Sequence, residues 1–141
     1  MAIVGLRIFL VEDNEADVVL VREAFARAGA ECEMLVAEDG HQALTMIEQI
    51  DRDLLHPDVA IIDLNIPKVN GSEVLEALRL CSASKELPAV VMTSSRHPAD
   101  LETINRMGAA YFHKPIDVGE YFKIVEVVTA LVREQAKASG A

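Results

Sequence analysis

Four short apolar runs in this chain stop at residues that could together handle a phosphoryl group. Leu6 to Val11 stops at Glu12-Asp13, Val59 to Ile62 at Asp63, the run through Met92 at Thr93, and the run through His113 at Lys114. Carboxylates within a few ångströms of one another repel, which raises a pKa unless a cation sits among them. Oxygen-only ligands suit Mg²⁺, which keeps several waters and often shares its shell with a phosphate. A hydroxyl and an ammonium facing the acids supply a hydrogen-bond donor and a counter-charge for phosphoryl oxygens. The set reads as phosphoryl transfer to a carboxylate, with Asp63 as the nucleophile. A carboxylate is ionised at neutral pH and needs no general base, so positioning and charge neutralisation are the remaining tasks.

Period and punctuation indicate the elements that must position these groups. Val59-Ala60-Ile61-Ile62 is a continuous apolar run, as in a strand buried on both faces. Pro67 and Asn70-Gly71 are loop residues, which puts Asp63 at the carboxyl end of that strand. Leu6 to Val11, Cys32 to Ala37, Pro88 to Met92 and Ala109 to His113 read as four more strands. Between them, Val18, Val21, Phe25 and Ala28 recur at helical spacing, with Asn14 as N-cap, Asp17 in the first turn and Gly29 as the stop. Asp39-Gly40 opens a second helix carrying Ala43, Leu44 and Ile47, and polar Gln49 to Pro57 leads on to the central strand. Val74, Leu75 and Leu78 mark a third helix, followed by a loop from Cys81 to Leu87. Pro98 suits the first position of a fourth, which stops at Gly108. Asp117 and Glu120 have capping-box spacing for a last helix to about Glu134, and residues 135–141 are expected to fray.

This alternation predicts an α/β fold: a doubly wound five-stranded parallel sheet with helices on both faces. All carboxyl ends of such a sheet lie on one edge, where ligands bind, so the four strand ends can converge.

Composition narrows the function classes. The 141 residues suffice for one domain with one core, about residues 6–134. A formal net charge of −10, from 13 basic and 23 acidic residues, argues against direct DNA binding and against anionic membranes. Arg7, Arg22, Arg27, Lys68, Arg79, Lys85 and Arg106 are spread singly rather than clustered. No apolar run approaches the roughly 18 residues of a membrane span and no cationic signal region opens the chain, so a cytoplasmic location is expected. Cys32 and Cys81 read as reduced thiols. The four histidines show no ligand spacing.

Glu12-Asp13, Asp63, Thr93 and Lys114, with Tyr111 three residues before the lysine, together resemble the response-regulator receiver domain (CheY-like) of two-component signalling. The resemblance runs from about Leu6 to Arg133. It implies a flavodoxin-like three-layer sandwich with strand order 2-1-3-4-5, the order that also serves as a stock example of this architecture. It implies Asp63 as phosphoacceptor, Thr93 as switch hydroxyl, Tyr111 as aromatic switch and Lys114 as the phosphoryl-binding lysine. Mg²⁺ would be held by Asp13, Asp63 and the Asn65 backbone carbonyl, with Glu12 reaching it through water. A cis Lys114-Pro115 bond is also implied. The side chains of Asn65 and Ser95 flank the site and would tune hydrolysis. Such a protein is not an enzyme in the turnover sense, although it catalyses its own phosphotransfer and dephosphorylation. Its partners would be a sensor histidine kinase and a downstream protein or phosphotransfer protein. The long segment before the central strand and the Thr93-Ser94-Ser95 run resemble stand-alone regulators paired with bacterial phytochrome kinases.

Two other classes share parts of this pattern. A flavodoxin-like cofactor binder has the same architecture, but its first loop should offer hydroxyls and backbone N–H groups to a phosphate, and Glu12-Asp13-Asn14-Glu15 repels one. An aspartate-nucleophile phosphatase usually carries a DxD pair, whereas Asp63-Leu64-Asn65 has one acid. The last helix adds an interaction expectation. Its polar positions Glu120, Lys123, Glu126, Ala130 (neutral), Arg133 and Glu134 cover only roughly 140° at about 100° per residue. Phe122, Val127 and Leu131 fall on the flanks of the apolar arc, an excess that marks an interface. The resemblance points to a homodimer through the fourth helix, fifth strand and fifth helix.

Overall fold

A computed structural model describes residues 5–138. Five strands form one parallel sheet: β1 (Leu6–Val11), β2 (Cys32–Ala37), β3 (Val59–Ile62), β4 (Ala89–Thr93) and β5 (Ala110–His113), in the spatial order 2-1-3-4-5. The helices between them are α1 (Glu15–Arg27), α2 (Gly40–Asp51), α3 (Gly71–Leu80), α4 (Pro98–Arg106) and α5 (Phe122–Ala138). Strand alternation divides the interior in two. On one face of the sheet, Leu6, Ile8, Leu10, Val59, Ile61, Val90, Met92 and Phe112 pack with Val21 and Phe25 of α1 and Ile124 and Val128 of α5. Phe9, Val11, Ala60, Ile62 and Val91 face the other way, onto α2, α3 and α4. The central strand is buried along its whole length, as its unbroken apolar run requires.

Local signals account for the helix starts. The side chains of Asn14, Asp39 and Asn70 each accept a hydrogen bond from the third residue of their helices, at Asp17, Gln42 and Glu73. Gly71 sits directly behind the strand end: a Cβ there would collide with the carbonyl oxygen of Asp63. A Cβ on Gly40 would likewise collide with Val69, so α2 backs closely onto the loop that follows Asp63. Both contacts hold that loop against the sheet edge.

The last helix departs from expectation at its start. Asp117 accepts a hydrogen bond from Gly119 N and caps a 3₁₀ turn, Val118–Tyr121, after which α5 begins at Phe122 and runs to Ala138. Glu120 pairs with Lys123 at 3.6 Å instead of reaching back in a capping box. The helix thus extends four residues past its expected end, and residues 139–141 of the expected frayed tail lie outside the described residues. The Lys114-Pro115 bond is also not cis: there is no cis peptide among the described residues. Trans is the form that an X-Pro amide favours by about 0.5–1 kcal/mol. No helix among them is long and apolar enough to cross a membrane.

Candidate functional site

One residue past the end of each strand keeps the side-chain alternation. Glu12 follows Leu10, Asp63 follows Ile61 and Lys114 follows Phe112, so all three point toward the α1/α5 face of the sheet. Thr93 follows Val91 and belongs to the opposite face. The three first-named side chains meet. Lys114 Nζ donates to Asp63 Oδ2 at 2.9 Å and lies 2.9 Å from Glu12 Oε1 and 2.9 Å from Asp17 Oδ2. Asp63 Oδ1 accepts from the Asn65 backbone N–H at 3.0 Å. Both oxygens of that carboxylate are therefore oriented, and the residue is only 4% exposed.

Charge burial shapes the electrostatics. Burial, reinforced by the neighbouring Asp63, pushes the Glu12 carboxyl up to about 7 against the opposing pull of Lys114 and the Asn14 N–H. Burial alone would lower the Lys114 ammonium, but the surrounding carboxylates of Asp63, Glu12 and Asp17 together raise it above its ordinary value.

Oxygen atoms of Glu12, Asp13 and Asp63 lie within 4.8 Å of one another. Glu12 Oε1 is buried, and its ion pair with Lys114 lacks hydrogen-bond geometry. A buried carboxylate oxygen without a hydrogen bond, beside two further acids, is a donor set suited to a hard divalent cation. The residues present fit Mg²⁺.

The remaining expected residues surround this centre in other ways. Thr93 is fully buried, and its Oγ1 accepts from Ser95 N at 3.1 Å. The half-buried Tyr111 donates its hydroxyl to the Ser95 carbonyl at 2.9 Å. Ser95 Oγ donates to Asp100 Oδ2 at 2.6 Å and accepts from His97 N, which places it at the start of α4. Asn65 is exposed at the rim.

Sequence reasoning missed two residues. Asp17, assigned only to the first turn of α1, is a partner of Lys114, and Tyr121 donates its hydroxyl to Asp17 Oδ1 at 2.7 Å. Asp17 is an acid in the first turn of α1, but nothing local to it names Lys114 as its partner. A buried tyrosine needs a partner for its hydroxyl, but nothing local to Tyr121 says which.

The fold and this acidic, lysine-bearing strand edge define a class. The family described as response regulator receiver domain matches residues 8–126, and the chain belongs to that family. Response regulator Rcp1 of Synechocystis sp. is 30% identical over 122 residues, covering 84% of this chain and 83% of its own. The structure of the phosphorylated cyanobacterial phytochrome response regulator RcpA superposes with a TM-score of 0.79 at 31% identity, over 88% of this chain and 91% of that one. The Mn²⁺-bound form of Rcp1 superposes with a TM-score of 0.78 at 29% identity, with the same coverage.

Proposed function

We propose that this receiver domain is a phosphoacceptor that takes a phosphoryl group on Asp63 from a sensor histidine kinase and changes its protein contacts in response. The observation that carries the proposal is the buried Asp63 carboxylate held by Lys114 at 2.9 Å, with Glu12 and Asp13 beside it. In the transfer, an Asp63 oxygen forms a bond to phosphorus as the phosphorus–nitrogen bond of a phosphohistidine breaks. The electron pair leaves on the imidazole. Asn65 N–H and Lys114 hold the attacking carboxylate before the reaction, so its orientation need not be found during it. Lys114 then supplies a fixed positive charge to the phosphoryl oxygens. Glu12, Asp13, Asp63 and the Asn65 carbonyl would hold Mg²⁺, which when bound neutralises charge on the carboxylates and the phosphoryl oxygens. Hydrolysis of the acyl phosphate by the same site would reset the protein, with the exposed Asn65 side chain as the tuning residue at its rim. Ser95, whose hydroxyl is engaged with Asp100 in the unphosphorylated site, is the second proposed tuning residue.

The two switch residues hold one short piece of backbone between them: Thr93 takes the Ser95 N–H and Tyr111 the Ser95 carbonyl. A phosphoryl group that draws the Thr93 hydroxyl toward Asp63 releases the first bond, and Tyr111 is free to move with the second. Tyr111 burial compared with and without beryllofluoride checks this step, and an unchanged ring would leave Tyr111 as core.

A phytochrome kinase is the favoured donor because a phosphorylated cyanobacterial phytochrome regulator is among the similar structures. A downstream protein or a phosphotransfer protein would read the result. A homodimer through α4, β5 and α5 is the proposed assembly. The structure reduces the apolar excess expected on α5, because Val127 and Leu131 are half-buried against the core and Arg27 lies 5.8 Å over the Phe122 ring. Light scattering on the wild type and Phe122→Glu tests the dimer.

The deciding experiment is intact mass with acetyl phosphate and Mg²⁺. The expected result is one phosphoryl group that disappears in Asp63→Asn. A shift that survives the substitution overturns the assignment.

A further inference from the structure

We propose that Asp17 is a positioning residue for Lys114, and that the Tyr121 hydroxyl fixes its orientation. The proposal rests on the phosphoacceptor reading above and adds to it two residues outside the acidic cluster. The geometry is a three-residue relay. Tyr121 OH donates to Asp17 Oδ1 at 2.7 Å, and the other oxygen of the same carboxylate stands 2.9 Å from Lys114 Nζ. Tyr121 is 4% exposed, so its hydroxyl is largely cut off from water and Asp17 is the partner the structure provides.

A lysine ammonium sits on a flexible four-carbon stem and does not orient itself. Asp63 and Glu12 approach Lys114 from strand ends, whereas Asp17 approaches from α1, so the three carboxylates confine Nζ from different elements. The same carboxylate also pins both ends of the segment between β5 and α5. Lys114 begins that segment and pairs with Asp17 as an ion, while Tyr121 closes its 3₁₀ turn and hydrogen-bonds the same carboxylate. Between them, Ile116 is fully exposed and Val118 is exposed. A shift of Lys114 toward a phosphoryl group therefore alters one of two anchors of an exposed loop, while Tyr121 keeps the other.

Two variants separate positioning from mere support. Tyr121→Phe removes one oxygen and keeps the buried ring; Asp17→Asn keeps the shape and removes the charge. The first readout is the ¹⁵N-detected ammonium signal of Lys114, assigned by its loss in Lys114→Arg. Confinement by three carboxylates slows proton exchange with water, so the signal is expected in the wild type and broadened in both variants. The second readout is beryllofluoride affinity in Mg²⁺, expected to fall roughly threefold to tenfold in Tyr121→Phe, the size of one hydrogen bond. A Lys114 signal unchanged in Tyr121→Phe overturns the proposal, whatever happens to affinity, because the effect would then not run through the ammonium. A wild type that binds no beryllofluoride, with a Lys114 signal that still depends on Tyr121, overturns the phosphoacceptor reading and leaves the positioning intact.

Discussion

Two half-buried cations lie at opposite edges of the sheet, and they are satisfied in opposite ways. Lys114, at the carboxyl edge, is surrounded by three carboxylates. Arg79, at the far edge, donates to backbone carbonyls: Nε to Met107, Nη1 to Ser84, Lys85 and Leu87, and Nη2 to Gly108, at 2.7–3.4 Å. Neutral carbonyl dipoles cannot titrate, bind a phosphoryl group covalently or be neutralised by a metal. The Arg79 cluster is thus a staple that joins the α3–β4 and α4–β5 connections. Around Lys114 every partner is an ionisable acid, so chemistry at one of them redistributes the other two. A half-buried charge held by fixed dipoles makes structure; one held by ionisable acids is coupled to the charge state of each of them.

Removing each cation in turn should have the largest and most divergent effects. Arg79→Met takes the guanidinium donors from the part-buried Met107 and Leu87 carbonyls and is expected to lower unfolding stability by about 3 kcal/mol in urea titrations. Beryllofluoride affinity should stay within about twofold of wild type, given the distance between the edges. Lys114→Met should act on function instead, slowing phosphorylation by acetyl phosphate roughly a hundredfold, as loss of one preorganised charge donor does. Equal effects of the two substitutions on phosphorylation would erase the distinction.

Smaller effects are expected at the acidic edge. Mg²⁺ at ten times its Kd should stabilise the native state by about 1.4 kcal/mol, and Asp13→Ala should remove that gain. A thermal shift that persists in Asp13→Ala would place the metal elsewhere. In metal-free buffer, stability should also depend on the Glu12 proton. Its folded value, about 7, lies above the ordinary 4.5, so between these pH values the native state binds more protons than the unfolded chain. The contribution is complete below about 4.5 and is lost as pH rises through 7, with a slope of at most on the order of 1 kcal/mol per pH unit. Urea titrations at about pH 5 and about pH 7 on wild type and Glu12→Gln check it, because the variant should lose this part of the slope. Arg79, bound to groups that do not titrate, contributes no slope in this range.

Much of this molecule was legible in its residues, and the reason is that the relevant forces are local. An unbroken apolar run before Asp63 requires a strand covered on both faces, and Asn14, Asp39 and Asn70 satisfy helix N–H groups within three residues of themselves. Glu12, Asp63 and Lys114 could be named because parallel strands bring their ends to one edge. Their common face follows from a two-residue alternation that the chain carries in itself. Other features required the folded chain. Tyr121 and Asp17 are 104 residues apart, and their bond depends on how α1 and the turn before α5 are rotated against the sheet. The five carbonyls around Arg79 come from two separate connections, whose approach no periodicity records. The spacing of Asp117 and Glu120 suited a capping box, but Glu120 found Lys123 and Tyr121 found Asp17, and a 3₁₀ turn resulted. Sequence by itself determined which segments become strands and helices and which chemical groups end them, because period and capping act within a few residues. Tertiary structure decided which buried polar group meets which, because that choice depends on packing angles between elements distant in the chain.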